Sequence, residues 1–400
     1  MEKKQLIAAV VGGMLAAPPA FAQITISGTV KDGLEMYKLG AGKAAAPAAS
    51  YHYEPRISDQ SSRIIFSGTQ DLGGGTRAWF QLDSRFQSDV GGSTQNASGS
   101  VTTGINLWAG GNTGVGLAGD WGKLTIGRWD LHYLEFIPIE FGYAGSLQDL
   151  LGAGPMSQVN ATNIGTSVSA NVIANGTRTP NVIMWDSANM GGFTTRVAYS
   201  TAFTTNLTGV SSNEGSGKGG AGSSGGALNA ALRWSGGPLA LGASAWSARP
   251  ESGASSPAGQ QKSVRVWGGY TLPMGLKVGL GFDNSQRRQA AGEDMTKRNA
   301  FMVPVAYNFG NHTAYFTFAK VGKLSGPNAG SPTDSTDAIA YGVGWEYALS
   351  KLATVGAFYA KLDNKANANY NFFSLSANGA TAATAGESAA QLYAGFSYRF

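Results

Sequence analysis

The chain ends on a stretch in which large apolar side chains alternate with small or polar ones. Leu392, Phe396, Tyr398 and Phe400 hold the apolar positions. A period of two places such residues on one face of a β-strand and leaves the other face polar. The same alternation returns in strand-length runs, separated by turns and loops, back toward residue 23. The pattern therefore predicts an all-β chain.

The alternation predicts sixteen antiparallel strands. Short Gly-containing turns and long loops rich in Gly, Ser, Ala and Asn join them alternately. An even strand number with this asymmetry is typical of a closed transmembrane β-barrel, with short periplasmic turns and long extracellular loops. The predicted strands are 24–38, 61–72, 76–86, 105–118, 123–129, 179–190, 194–203, 227–235, 240–249, 262–272, 276–288, 298–310, 313–324, 337–349, 353–364 and 387–400.

Pro304 lies in the middle of one predicted strand, 298–310. Proline cannot donate to a sheet ladder, and a closed barrel has no edge at which to place it. We therefore expect a bulge or one missing ladder bond at Pro304.

The two faces of the predicted strands differ in what they would contact. Apolar stripes such as Ile339, Tyr341 and Val343 would face outer-membrane lipid, although a soluble sandwich would bury the same stripes. The opposite face carries twelve cations against five anions, and charges that line a narrow pore select which ions enter. The cations are Lys31, Arg63, Arg77, Arg85, Lys123, Arg196, Arg233, Arg265, Lys277, Arg298, Lys361 and Arg399; the anions are Glu35, Asp83, Asp283, Glu346 and Asp363.

The first residues form a separate segment. A basic start, an apolar run from Leu6 to Ala17 and small residues at Ala20 and Ala22 are typical of a cleaved signal peptide. The apolar run is too short to span a bilayer. We expect a signal peptide over 1–22 and one barrel domain over 23–400, with terminal Phe400 facing lipid where the last strand closes against the first.

Composition and candidate chemistry argue against other classes. Removing Glu2, Lys3 and Lys4 with the signal would lower the formal net charge from +5 to +4, which is too small to indicate nucleic acid. The chain has no Cys and only three scattered His, so we expect no metal site and no cofactor. No nucleophile motif accompanies any His, and we expect no catalytic residues, although an outer-membrane barrel enzyme remains a rival class.

Three segments resemble the Gram-negative general porins of the beta-proteobacterial branch. The hairpin 62–83 is similar to the family's Ser-Arg-x-x-Phe-x-Gly-x-Glu-Asp-Leu-Gly-x-Gly hairpin, with Gln70 where Glu is common. Segment 120–128 looks like its Phe-Gly-x-x-x-x-Gly-Arg segment, with Trp121 for Phe, and 393–400 matches its final strand. The resemblance covers essentially the whole chain after the signal.

The resemblance implies a pore constriction. In such porins the third extracellular loop, here 130–178, folds into the barrel lumen. Glu140 lies in an Ile-Glu-Phe-Gly segment similar to the loop tip of part of the family, which makes it the first acidic candidate, with Glu135 and Asp149 as secondary candidates. Arg63 and Arg128 fall where the family places basic residues.

Two further basic candidates come from the second strand, 76–86, of the hairpin that begins at residue 61. Arg77 and Arg85 share this hairpin with Arg63, so we expect a basic patch that includes Lys31. Strict alternation points Arg128 outward, and a break at Gly127 would be needed to turn it into the lumen.

The resemblance also implies partners and a function. It implies a homotrimer, with the first and last strands and loop 87–104 near the contact, and recognition of Phe396, Tyr398 and Phe400 by the barrel assembly machinery. The implied function is an outer-membrane channel for passive diffusion of ions and small hydrophilic solutes, and the inward excess of cations predicts a weak anion preference. The alternative is a channel selective for a sugar or aromatic acid, in which Trp79, Trp267 and Tyr393 would stack on the ligand ring.

Overall fold

Every strand in the described part of the chain belongs to one antiparallel sheet. The computed structural model describes residues 23–40, 54–60, 62–89, 109–140, 179–201, 226–249, 260–288, 294–326, 333–370 and 383–400. Within these ranges no helix is long and apolar enough to cross a membrane. The strands are β1 (Gln23–Leu39), β2 (Glu54–Asp59), β3 (Ser62–Gly73), β4 (Thr76–Phe86), β5 (Thr113–Gly119), β6 (Gly122–Trp129), β7 (Thr179–Asp186), β8 (Phe193–Ser200), β9 (Gly226–Gly236), β10 (Leu239–Arg249), β11 (Gln260–Thr271), β12 (Leu276–Arg288), β13 (Thr296–Phe309), β14 (His312–Val321), β15 (Ala338–Ala348), β16 (Ala353–Asn364) and β17 (Ala389–Arg399).

The seventeen segments make a sixteen-strand barrel because β2 and β3 are two halves of one wall strand. Both pair with β1, through Thr29 opposite Arg63 and Asp32 opposite Asp59. Between these pairs the β2–β3 side has one residue more than β1, which is a bulge. The Asp59 carboxylate accepts a hydrogen bond from the Ser62 backbone N–H at 3.0 Å and so supports the break. The prediction of a loop throughout 39–60 was wrong for residues 54–59.

The barrel closes where β1 meets β17. Their register runs from Thr29 opposite Arg399 to Leu39 opposite Ala389. Beyond it, the backbone groups of Phe400 and Gly28 exchange two hydrogen bonds, at 3.0 and 3.2 Å. A Cβ at Gly28 would lie 2.6 Å from the Phe400 ring, so the absent side chain makes room for the terminal aromatic residue. The predicted closure of the last strand on the first is confirmed.

The two faces of the wall separate as the alternation predicted. On β1, Ile24, Ile26 and Leu34 are exposed, whereas Lys31 and Glu35 are buried on the opposite, inner face. Exposed apolar stripes continue around the outside of the barrel, where a bilayer would cover them. This arrangement excludes the alternative of a sandwich with its apolar face inside.

The inner face is less polar than the alternation predicted. On β13 to β17 it includes the buried side chains of Met302, Val321 and Leu362, which belong to one apolar cluster with Phe136 and Tyr370. Phe136 and Tyr370 lie outside the strands. Loop segments therefore cover part of the inner wall, and the residues beneath them need no contact with water.

The pairing of β12 with β13 is interrupted at Pro304. Val278 pairs with Val305 and Gly281 pairs with Met302, and the intervening positions on both strands have no partners across this ladder. On its other side Pro304 remains in register with Thr317 of β14. The predicted missing ladder bond at Pro304 is confirmed.

The wall differs in height around the barrel. Strands β5 to β8, which we call the short wall, contain 7 or 8 residues each. Strands β9 to β17, the tall wall, contain 10 to 14. We call the end of the barrel with the short turns the turn end, and the opposite end the loop end.

Candidate functional site

The segment after β6 packs against the inner face of the tall wall. It forms a 3-10 helix over His132–Phe136 and a short helix, α1, over Ile137–Glu140. A Cβ at Gly279 would lie 2.8 Å from Cβ of Ile139, and a Cβ at Gly281 would lie 3.1 Å from Phe136. Two glycines on β12 thus leave the space that α1 and the 3-10 helix occupy. Residues 141–178 of the predicted third loop lie outside the described residues.

His132 holds the start of this segment to two strands. Its Nδ1 lies 2.8 Å from Oγ of Ser244 on β10, and its Nε2 lies 2.8 Å from Oγ of Ser263 on β11. The imidazole also stacks on Trp246 at a centroid distance of 6.4 Å. Burial, and secondarily the positive charge of Arg265, holds the pKa of His132 well below its ordinary value of 6.5. The ring is therefore neutral, and one of its nitrogens donates while the other accepts.

Arg265 of β11 makes the second connection. Its Nε donates to Oδ2 of Asp283 at 2.8 Å, and one terminal nitrogen donates to the His132 carbonyl oxygen. Ser263 and Ser285 also donate to the Asp283 carboxylate. Both charged side chains are fully buried. Because each charge has its partner and further hydrogen bonds, the pair is tolerated in the interior.

Glu135 makes the third connection, and it is the one acidic candidate whose side chain the structure describes. Its carboxylate accepts two hydrogen bonds from Arg233 of β9, at 3.0 and 2.8 Å, and one from Nε1 of Trp267 at 3.2 Å. Glu140 ends α1, but its side chain is not among those described, and Asp149 lies outside the described residues.

Arg63 and Arg85 are brought together as predicted. They are register partners on β3 and β4, and Lys31 lies two residues from Thr29, which pairs with Arg63 on its other side. Arg85 donates two bonds of 3.0 Å to the two oxygens of Asp83, so part of its charge is neutralised on its own strand.

Arg77 does not join this patch. It lies eight residues from Arg85 along β4, next to the turn Gly73–Gly75, and its side chain is exposed. The expected basic patch on the hairpin therefore contains two of the three predicted arginines.

The break that Arg128 requires is present. Gly127 has a φ of +152°, a conformation that favours glycine. The register with β7 shifts at this point, since Gly127 pairs with Val182 but Trp129 pairs with Thr179. Arg128 itself is half-buried. A constriction role for it stays a prediction.

Ion pairs reduce the positive charge that the sequence pattern suggested. In the described part of the chain, at least five of the twelve cations are held by carboxylates, and Glu35 is taken by Arg56 of β2, which lay in a predicted loop. Asp186 pairs with Arg196 across one hairpin, a contact that hairpin register alone could have indicated. Glu135 and Arg233 are 98 residues apart, and no sequence signal joins them. The five pairs are Arg85–Asp83, Arg196–Asp186, Arg233–Glu135, Arg265–Asp283 and Lys361–Asp363.

The His132 site does not have the geometry of a hydrolase. In a Ser-His-Asp triad the carboxylate orients the imidazole. Here the Asp283 carboxylate accepts from Ser263, while both His132 nitrogens bond to serines. In the described part of the chain, no group of three His, Cys, Asp or Glu side chains is arranged to hold a metal ion.

Comparisons with known proteins agree with this architecture. The profile of the Gram-negative porin family matches residues 7–367. An outer membrane porin protein of Bordetella pertussis is 30% identical over 210 residues, and the major outer membrane protein P.IB of Neisseria meningitidis serogroup B is 32% identical over 126. These matches cover 50% and 32% of this chain, but only 48% and 33% of the relatives' own lengths.

Solved structures share the fold over nearly the full length. The anion-selective porin from Comamonas acidovorans aligns with a TM-score of 0.70 at 20% identity, covering 95% of this chain and all of that chain. OmpT of Vibrio cholerae, in a trimer form, aligns with a TM-score of 0.62 at 13% identity, covering 95% of this chain and 99% of that one. The chain forms a closed barrel with apolar stripes outside and ionised groups inside, and the family profile matches most of its length. It belongs to the Gram-negative porins of the outer membrane.

Proposed function

We propose that this chain is a channel for the passive diffusion of ions and small hydrophilic solutes across the outer membrane. The observation that carries the proposal is the division of the closed sheet into an apolar outer face and an inner face with ionised side chains. The outer face suits lipid, and the inner face offers polar surroundings to a hydrated solute. Nothing in this function requires a chemical step, so we propose that the protein is not an enzyme.

The inner charges favour anions. Adding Arg56, Glu135 and Asp186 together with the buried carboxylates of Asp59, Asp130 and Glu387 gives thirteen cations against ten anions, which still leaves a cationic excess. A positive field in a confined channel with low-dielectric walls raises the local concentration of anions. The Comamonas porin that shares this fold is itself described as anion-selective.

The constriction in this proposal is the part of the lumen between the anchored loop segment and the Arg63–Arg85 patch. We propose that the third loop narrows the lumen, since its residues 132–140 pack on the tall wall. Glu135 is fixed there by Arg233 and Trp267. Glu140 and Asp149 remain acidic candidates on the same loop, and Arg128 remains a basic candidate.

A channel selective for a sugar or an aromatic acid is less favoured, because the candidate stacking rings are already engaged. The Lys123 ammonium lies over the Trp79 ring at 3.6 Å from its centroid, and Trp267 donates to Glu135. Tyr393 stacks on Phe358 at a centroid distance of 5.1 Å. A ligand ring would have to displace these contacts before it could stack.

Reconstitution separates the functions. In planar bilayers we expect conductance that rises in steps and does not saturate as the KCl concentration is raised. In liposomes we expect swelling rates that fall smoothly with sugar size. A single sugar that enters much faster than others of its size would instead support a selective channel. Protein that inserts but conducts no ions would contradict the proposal.

For assembly we propose a homotrimer inserted by the barrel assembly machinery. Phe396, Tyr398 and Phe400 lie exposed on the outer face where β17 closes on β1. This position supports a role for these aromatic residues as the assembly signal. Deletion of Phe400 should lower the amount of heat-modifiable barrel in the outer membrane, and unchanged insertion would contradict this role. Native mass measurement in mild detergent tests the trimer, and finding monomers alone would argue against it.

A further inference from the structure

One continuous row of inward-facing residues crosses nine strands from β4 to β12. Each residue is the register partner of the next. Because barrel strands tilt by about 35–45° to the barrel axis, a row perpendicular to them climbs the wall. It begins at Arg77 and Lys123, which lie beside the β3–β4 and β5–β6 turns. It ends at Arg265 and Asp283, which hold the His132 segment. The row consists of Arg77, Ala118, Lys123, Asp186, Arg196, Ala231, Ser244, Arg265 and Asp283.

The two ends of the row differ in how their cations are used. Toward the loop end, Arg265 is paired with Asp283, and midway Arg196 is paired with Asp186. At the turn end, neither Arg77 nor Lys123 forms an ion pair with any described residue. Asp71 lies opposite Arg77, but its carboxylate accepts the Gly73 backbone N–H at 2.8 Å. The turn end thus holds two cations without an ion-pair partner among the described residues; Asp186, the register partner of Lys123, attracts the ammonium but is itself paired with Arg196.

Lys123 is held in place without losing its charge. Its ammonium lies 3.6 Å from the centroid of Trp79 and 5.2 Å from that of Trp129. The two indoles meet edge to face at 5.9 Å, and Trp79 is fixed by a 3.1 Å bond from its Nε1 to the Leu124 carbonyl oxygen. A ring face attracts a cation but leaves it formally charged. The remaining N–H groups of the ammonium are available to an anion.

The spacing of the two cations suits one small anion. Arg77 and Lys123 flank Ala118, so their Cα atoms are two strand spacings, about 10 Å, apart. Ala118 projects little into the space between them, and both neighbours are long side chains that can converge on one ligand. An anion with two charges gains about twice as much from the same field as a chloride ion does.

We propose that Arg77 of β4 and Lys123 of β6 form a binding station for small divalent anions at the turn end of the barrel. The inference rests on the proposed channel function and adds a substrate class to it. At this station a divalent oxyanion or short dicarboxylate is bound between the guanidinium and the ammonium. Such an anion dwells there and slows the passage of chloride.

Sulfate is a suitable probe because it carries two charges at every pH used for such recordings. Single-channel current in KCl should fall as sulfate is added, and the half-blocking sulfate concentration measures affinity for the station. Lys123→Gln and Arg77→Gln should each raise that concentration about fivefold, as expected for one partly solvated charge contact. Lys123→Arg should retain block, since it keeps the charge over the Trp79 face.

Lys361→Gln is the matched control. It also removes one positive charge from the inner wall, but Lys361 is already paired with Asp363 at 2.9 Å on the tall wall. It should change the half-blocking concentration by less than about twofold. Absence of sulfate block in a conducting wild-type channel would overturn the station, as would equal block in Lys123→Gln and wild type. Absence of any conductance would instead overturn the channel function.

Discussion

The short and tall walls of the barrel use their inner charges differently. On the tall wall, Arg233 and Arg265 are bonded to Glu135, Asp283 and the His132 carbonyl, and the third-loop segment rests on them. On the short wall, Lys123 lies over aromatic rings and has no carboxylate within ion-pair distance among the described residues. The tall-wall arginines therefore anchor a loop, whereas Lys123 on the short wall remains available to solutes.

The comparison shows that a count of inward cations does not measure the field in the pore. Charge that is buried and paired is structural, because separating it would leave an uncompensated ion in a low-dielectric interior. A charge that is half-exposed and has no acidic partner acts on the ions that pass through the pore. The tall wall should thus dominate stability and the short wall should dominate selectivity.

The largest expected difference concerns one ion pair from each wall. Arg265→Met leaves Asp283 buried without its cation and should lower the free energy of unfolding by about 3–5 kcal/mol. Arg196→Met removes a pair whose side chains are 13% and 26% exposed, and should cost about 1 kcal/mol or less. Urea unfolding of the refolded barrels in detergent measures both.

The double variant Arg265→Met/Asp283→Leu tests the reason for that difference. It removes both charges and should recover much of the lost stability, because no buried ion remains. Equal losses for Arg265→Met and Arg196→Met would show that the two walls do not differ in this way.

A smaller effect is expected where the loop segment rests on β12. Gly279→Ala would bring a Cβ to 2.8 Å from Ile139 and 3.0 Å from Pro304, so α1 must shift away from the wall. We expect a cost of about 1–3 kcal/mol, as for other overpacked interiors, together with an altered single-channel conductance. Gly268→Ala on β11 meets only the flexible end of Leu241 at 3.1 Å and serves as the control. Identical conductance of the two variants would argue against a loop held at Gly279.

The His132 contacts predict a weaker, pH-dependent effect. The pKa of His132 is lowered in the anchored segment, so a detached segment binds the proton more readily and acidification favours detachment. The positive charge of Arg265 also disfavours a protonated His132. The nearby carboxylate of Asp283 is bonded to Arg265 and Ser263. The anchored state should lose at most about 1.4 kcal/mol for each pH unit below 6.5.

Recordings across this pH range test the anchor. The conductance of the wild-type channel should change as the pH falls below 6.5, and His132→Gln should abolish that change, because Gln can bond to both serines but does not titrate there. A pH dependence that is the same in His132→Gln would assign the change to another group.

The strands could be predicted from the sequence because each wall residue faces either the outside or the lumen, and the alternation records that choice. Strand β2 was missed because only Ile57 of its six residues marks the outer face, and Pro55 argues against a strand. The interruption at Pro304 was predictable because it follows from backbone chemistry at a single residue, whereas a break at Gly127 was only a condition for turning Arg128 into the lumen.

The site was less predictable than the strands. Contacts between the third-loop segment and the wall, such as His132 with Ser263, join residues 131 positions apart and depend on barrel closure. Which cations are neutralised depends on the same closure. Arg77 was grouped with Arg63 and Arg85 because they share a hairpin, but its place beside the turn separates it from them.

The most direct test of the electropositive pore is the reversal potential of the wild-type channel in a planar bilayer under a KCl gradient. The account predicts a potential of the sign that denotes anion preference, reduced toward zero in Lys123→Gln. A wild-type channel that prefers cations, or a Lys123→Gln channel with an unchanged reversal potential, would contradict it.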